Sequence, residues 1–253
     1  MTKEQQALYK YTLSLGDNAL IQSYRLSEWC SHAPILEEDL ALTNFALDMT
    51  GRAQMLLTYA AQVDGNGKTD DDLAYRRKER DFYNHLIMEL PNGDFAFTMA
   101  RLLLTSAYEF YFFTELKHSD DKTLAGIAVK TVKEVKYHMA HATGWVLRLG
   151  DGTAESHNRI QDAVNELWQY TGELFETNSA DALLRDKNIA VDLLSVKDAW
   201  NNYVTKVLSE ATLSKPTDGY MHSGSNNGMH TEYLGHILSE MQYLQRAYPE
   251  ATW

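Results

Sequence analysis

Proline placement constrains this chain more than any other feature of its sequence. Only four prolines occur, Pro34, Pro91, Pro216 and Pro249, and none lies between Asn92 and Lys215. A proline inside a helix removes one backbone hydrogen bond and collides with the carbonyl four residues back, so a long proline-free stretch leaves room for long helices. The remaining punctuation agrees. Gly16-Asp17-Asn18 reads as the cap of a helix over 18–31, His32-Ala33-Pro34 as a break, and Asp64-Gly65-Asn66-Gly67 as the end of a helix over 35–63. A shorter helical stretch is expected near 72–89. Pro91-Asn92-Gly93-Asp94 opens a helix over 94–118, Ser119-Asp120-Asp121 caps another over 121–149, and Gly150-Asp151-Gly152 stops it. Further helices are expected over 154–176, 196–213 and 230–247, and Lys215 to Met229, rich in Gly, Ser, Asn and His, reads as a loop. The predicted fold class is all-α, a four-helix bundle with additional C-terminal helices. No repeat or linker divides it, so a single domain over 1–253 is expected.

Helical periodicity says which groups face inward. Over 121–149 the stripe Leu124, Ala128, Thr131, Val135, His138, Ala142, Trp145, Leu149 holds one ionisable group, His138. Over 94–118 the stripe Phe95, Met99, Leu102, Ser106, Glu109, Phe113, Leu116 turns Glu109 inward, where a carboxylate must be paired, hydrogen-bonded or protonated. The surplus of rings at Tyr108, Phe110, Tyr111, Phe112 and Phe113 means that this helix is contacted on several sides or forms an interface.

Polar groups breaking the inward faces of a helical bundle raise the question of a di-iron site. Such a site takes one Glu from each of two helices and a Glu-x-x-His pair from each of the other two, because residues three apart share a face. Glu28 supplies a plausible first carboxylate. Asp48 is followed three residues later by Gly51, which has no side chain to coordinate with, Glu109 supplies a third carboxylate, and His138 is preceded three residues earlier by Val135. Both pairs are broken, which leaves at most three carboxylates and one histidine. These groups read as polar positions in the core, satisfied by one another or by buried water, and no metal is expected at them. Glu115 and His118 form a literal Glu-x-x-His but sit at a helix end beside Asp120 and Asp121, as solvated charge does. Glu232, His236 and Glu240 repeat at four-residue spacing and could bind one divalent ion, yet an exposed charge row or a partner contact accounts for them as well. His138 and His141 are three apart, but only His138 lies on the inward stripe.

Composition excludes other classes. The formal net charge of −12 repels phosphate backbones and anionic membrane surfaces, so nucleic acid and membrane are not expected partners. The apolar window from Ala96 to Phe113 carries Arg101 and Glu109, which points to a helix buried in protein rather than lipid. Cys30, the one cysteine, has no internal disulfide partner, and no signal-like apolar run stands near the start, so the cytoplasm is the expected location. No glycine-rich phosphate loop and no Gly-x-Ser-x-Gly nucleophile motif occurs.

Several long segments, in order, resemble a known family: LGDNALIQSYRLSEWCSHAPILEEDLALTNFALDMTGRAQ at 15–54, ELPNGDFAFTMAR at 89–101, KEVKYH at 133–138 and HTEYLGHILSEMQYLQRAYP at 230–249. They look like the PaaC-type subunit of bacterial ring 1,2-phenylacetyl-CoA epoxidase, from about Tyr9 to Tyr248. The resemblance implies a ferritin-like, non-catalytic structural subunit of a multicomponent oxygenase in phenylacetate catabolism, with no cofactor of its own. It also implies a homologous catalytic subunit that holds the di-iron centre and forms a hetero-oligomer with this chain; whether this chain forms a homodimer when alone is left open by the sequence. Ser27-Glu28 then retains a first ligand position, Leu47-Asp48-Met49-Thr50-Gly51 has Asp for Glu and Gly for His, and Lys133 to His138 keeps His but has Val135 for a ligating Glu. These are vestigial positions. The competing expectation is a metal-dependent oxidoreductase acting alone through the incomplete set Glu28, Asp48, Glu109 and His138. Whether Lys215 to Met229 touches CoA is left open by the sequence.

Overall fold

The computed structural model describes residues 1–249 and 251, and among them only helices and connecting segments occur, with no strand. The ten α-helices are α1 (Lys3–Ser27), α2 (Leu36–Asp64), α3 (Asp70–Tyr75), α4 (Phe95–Leu116), α5 (Lys122–Gly150), α6 (Ala154–Trp168), α7 (Ser179–Arg185), α8 (Leu193–Glu210), α9 (Glu232–Met241) and α10 (Tyr243–Ala247). Among the described residues no helix is long and apolar enough to cross a membrane. The chain divides into two compact units. The first takes Met1–Pro91, Asn178–Asp186 and the chain from Gly224 onward; the second takes Asn92–Thr177 and Lys187–Ser223. Each is assembled from separate stretches, so no single cut in the chain separates them.

The first unit is built on the hairpin of α1 and α2. Thr2 starts α1, its side chain accepting from the Gln5 amide while Gln5 Oε1 accepts from the Thr2 amide. Helix α1 therefore begins at Lys3 rather than at Asn18, and the three residues that read as its cap have other partners. Gly16 lies against α2, where a Cβ would sit 2.8 Å from Leu57 Cδ2. Asp17 pairs with Arg77, and Asn18 Oδ1 accepts from the His85 amide. Side chains that favour helix starts are here long-range tertiary contacts inside a helix. At the other end α1 stops at Ser27, four residues short of expectation, in a turn that leads to Ser31 with a φ of 68°. Helix α2 ends as expected at Gly65, whose φ of 68° suits a residue without a Cβ.

The segment expected to be helical near 72–89 is helical only in α3 and in two 3-10 turns, Glu79–Asp81 and Leu86–Met88. Its backbone departs from helix to meet α1, through Tyr83 N on Asp17 and His85 N on Asn18. Helix α7, which the sequence pattern did not mark, starts with an Asn178 side chain that accepts from the amides of Ala180 and Asp181. The last expected helix, 230–247, is two helices. They break at Gln242, whose buried side chain donates to the carbonyls of Ala74 and Arg77.

The second unit packs α4, α5, α6 and α8. Asp94 caps α4 by accepting from the Phe97 amide, and Asp121 caps α5 by accepting from the amides of Thr123 and Leu124. Both starts agree with the sequence. Every residue of α4 from Thr98 to Glu109 is buried, so the apolar character it shows all round is core rather than a free face. On α5, Leu124 through Ala142 of the expected stripe are buried and Trp145 and Leu149 half-buried. Helix α6 stops at Trp168, short of 176; Gly172 follows, where a Cβ would lie 2.9 Å from Met221 Cγ, so the chain loops past a close neighbour.

The expected loop from Lys215 is tied down. Asp218 Oδ1 accepts from Trp168 Nε1 at 3.0 Å, the His222 amide donates to Gln169 O at 2.8 Å, and the His222 ring stacks on Tyr170 at 4.6 Å. Beyond Ser223 the chain enters the first unit, where Gly228 passes so close to Arg80 that a Cβ would stand 2.3 Å from its carbonyl oxygen.

Candidate functional site

The six positions singled out by the ligand pattern fall in different units. Glu28, Asp48 and Gly51 belong to the first, and Glu109, Val135 and His138 to the second. Glu28 does not lie on the inward face of α1. It is the residue after the helix end, exposed, with Oε1 taking a 2.8 Å hydrogen bond from Arg25 NH1. Asp48 is half-buried on α2. Gly51, one turn on, has nothing within 4 Å of the place a Cβ would occupy, so no neighbour requires the side chain to be missing. A glycine in mid-helix without a packing reason costs about 1 kcal/mol relative to alanine.

In the second unit Glu109 and His138 are buried, as the stripes on α4 and α5 predict. Val135 is wholly buried, so an apolar group fills the position from which a ligating carboxylate would reach inward. Glu134, its neighbour, is half-buried and lies 3.7 Å from Lys130 Nζ. Against a di-iron requirement the set is thus one exposed carboxylate held by an arginine, a half-buried aspartate, the buried Glu109 and His138, no side chain at Gly51 and a hydrocarbon at Val135. Among the described residues no group of three or more His, Cys, Asp or Glu could hold a metal ion.

The other constellations are surface features. Glu232, His236 and Glu240 are exposed, and Glu240 Oε2 accepts from the Tyr24 hydroxyl at 2.5 Å. That contact raises the tyrosine pKa, burial contributing most and the Glu240 hydrogen bond next. Glu115 and His118 are exposed, as are Cys30 and His32. Two depressions avoid all six ligand positions. One of about 630 Å³ in the first unit is lined by Lys78, Glu79, Leu238, Tyr243 and Arg246, and one of about 320 Å³ in the second by Asp94, Phe95, Ser156 and Arg159 among others.

The sequence pattern missed a buried polar cluster in the first unit. Asp17, fully buried, accepts from both terminal nitrogens of Arg77 and from the Tyr83 amide, while the guanidinium lies 4.0 Å from the Phe82 ring centre. Burial raises the Asp17 carboxyl pKa, and the Arg77 charge and hydrogen bonds oppose the rise. Glu89, also fully buried, receives Asn84, His230 and Thr231, and its backbone carbonyl accepts from Arg25 Nε and NH2 at 3.0 and 2.7 Å. None of these residues stands at helical spacing from its partners, so no periodicity could have joined them.

The family model for the phenylacetic acid catabolic protein matches residues 1–253. The chain belongs to that family. It is 47% identical, over 246 residues, to one of the subunits of the 1,2-phenylacetyl-CoA epoxidase of Escherichia coli (strain K12), an alignment that covers 97% of this chain and 99% of that one. The fold class of the family, all-α and ferritin-like, is the one its helices present.

Proposed function

We propose that this chain is the non-catalytic subunit of a multicomponent oxygenase that epoxidises the ring of phenylacetyl-CoA, and that as one ferritin-like domain it holds a homologous di-iron subunit in its active shape. Near full-length similarity to a subunit of such an epoxidase supports the assignment to the complex. The observation that carries the non-catalytic part is the pair of lost donors: Gly51 in open space and Val135 wholly buried. A buried cluster of carboxylates without metal repels itself, so replacing one by valine removes a destabilising charge once the metal is no longer held. The chain then contributes packing surface. Helix α2 offers Leu36, Leu40 and Leu47 on one face with 72%, 56% and 64% of their surfaces exposed, a row suited to burial against another protein.

The test is to mix this chain with the homologous catalytic subunit and the reductase, then follow phenylacetyl-CoA-dependent oxygen consumption and co-elution. Turnover that needs both chains, and falls in parallel with co-elution for Leu40→Glu/Leu47→Glu, supports the reading. A catalytic subunit that is stable and fully active without this chain overturns it.

A further inference from the structure

The hydrogen-bond inventory of the polar cluster around Glu89 points to a charge state. Both Glu89 carboxylate oxygens take other donors: Oε1 accepts from Asn84 Nδ2 at 2.9 Å, and Oε2 accepts from the Thr231 amide, a donor that cannot reverse its role, at 2.8 Å and from its hydroxyl at 2.6 Å. His230 Nδ1 meets Oε1 at 2.6 Å, and His230 Nε2 meets the Phe82 carbonyl oxygen at 2.9 Å. A peptide carbonyl can only accept, so Nε2 donates, and the donors gathered on Glu89 favour a carboxylate that accepts from Nδ1 as well. A ring that donates from both nitrogens is an imidazolium. Both side chains are wholly shielded from solvent, where a charge-assisted pair is strong and an unpaired charge is costly.

The pair sits where the last stretch of the first unit begins. Thr231 binds Glu89 directly, and α9 and α10 follow, with Leu234, Ile237 and Leu238 buried beneath α9. Further along, Gln242 and Arg246 donate to the carbonyl of Arg77. The 630 Å³ depression takes Lys78 and Glu79 from one segment and Leu238, Tyr243 and Arg246 from the other, so it exists only while they are docked together.

We propose that the Glu89–His230 ion pair is a charge latch that fastens the segment from Thr231 through α10 to the first unit and loosens when the ring loses its second proton. The charges that reach the ring are Glu89 from the 76–90 segment and Asp17 from α1, the latter compensated by Arg77; Arg25 of α1 binds the Glu89 carbonyl, and Glu232 on the latch's own helix is exposed. Burial alone would lower the histidine pKa, but the Glu89 hydrogen bond and charge, the Phe82 carbonyl and the Asp17 charge outweigh it and leave the value raised above 6.5. A raised folded pKa means that the latch contributes fully below the ordinary histidine value and is lost as pH rises through the folded one.

The experiment is hydrogen exchange of the full chain from about pH 6 to about pH 9, corrected for intrinsic rates, with 15N spectra of the histidine rings in the same samples. Protection over 231–247 is expected to fall by up to about tenfold per pH unit above the folded value, the limit for one linked proton, while protection over 124–142 stays level. In the spectra the His230 ring, identified by its loss in His230→Gln, carries protons on both nitrogens at neutral pH. Glu89→Gln, which can donate to a neutral ring, is expected to keep the segment docked and abolish its pH dependence. A neutral His230 ring at pH 7 in the unmodified chain, or protection over 231–247 that does not change with pH, overturns the proposal. The spectra and exchange of the unmodified chain decide even if a variant fails to fold.

Discussion

Helix α1 in the first unit and α4 in the second are both long, both buried and both interrupted by polar side chains, yet they satisfy those groups in opposite ways. In α4 and its neighbour α5 the mid-helix hydroxyls are satisfied locally, while Arg101 and Thr98 of α4 reach back to Asn92. Thr105 and Ser106 return their hydroxyl hydrogens to the carbonyls of Arg101 and Leu102 one turn back, and Thr131 does the same to Ile127. In α1 the solution is remote: Asp17 waits for Arg77, Asn18 for His85 and Arg25 for the Glu89 carbonyl. A helix that answers its own polar groups loses little when one is removed. A helix that relies on distant segments leaves a buried charge behind when the partner goes.

That contrast predicts a ranking of substitutions. The largest effect is expected for Arg77→Met, which strands the buried Asp17 carboxylate and should cost about 3–5 kcal/mol in urea unfolding. Val135→Glu follows. It places a carboxylate at a wholly buried position of the second unit, and the expected loss is on the order of 3 kcal/mol, partly recovered as pH falls toward the ordinary carboxylate range, because burial raises the folded pKa and the group protonates above that range. Gly51→Ala reverses the sign, because open space surrounds the missing Cβ, and should raise stability by about 1 kcal/mol without changing association with a partner. Ser106→Ala is the smallest. Its hydroxyl serves only its own helix, so the change should stay within about 1 kcal/mol, measured on the same unfolding curve. A cost for Ser106→Ala as large as that for Arg77→Met would remove the distinction between the two helices.

The same distinction explains what could be read from the sequence. Starts and stops whose causes lie within a few residues were legible: Asp94 before α4, Asp121 before α5, Gly65 after α2 and the turn after Gly150 all fall where expected. The inward stripes that placed Val135, His138 and Glu109 were legible for the same reason, since periodicity is a local property. Gly16-Asp17-Asn18 misled because the residue types that cap a helix also suit a buried ion pair and a close helix crossing, and only tertiary structure tells them apart. Glu28 misled because the helix expected over 18–31 stops at Ser27, which leaves Glu28 as the first residue beyond it. His230 carried no signal at all, being the first residue of a segment whose partner, Glu89, stands far back in the chain.

The proposed non-catalytic role requires that the lost donors leave this chain without a metal-dependent activity of its own. The most direct test is to supply iron to the purified chain alone, remove what is loosely held, and measure iron per polypeptide together with oxygen consumption in the presence of reductase and phenylacetyl-CoA. The account predicts iron far below one atom per chain and no substrate-dependent oxygen uptake until the catalytic subunit is added. Stoichiometric iron with turnover from this chain alone would mean that Glu28, Asp48, Glu109 and His138 form a working site despite Gly51 and Val135, and the account would be wrong.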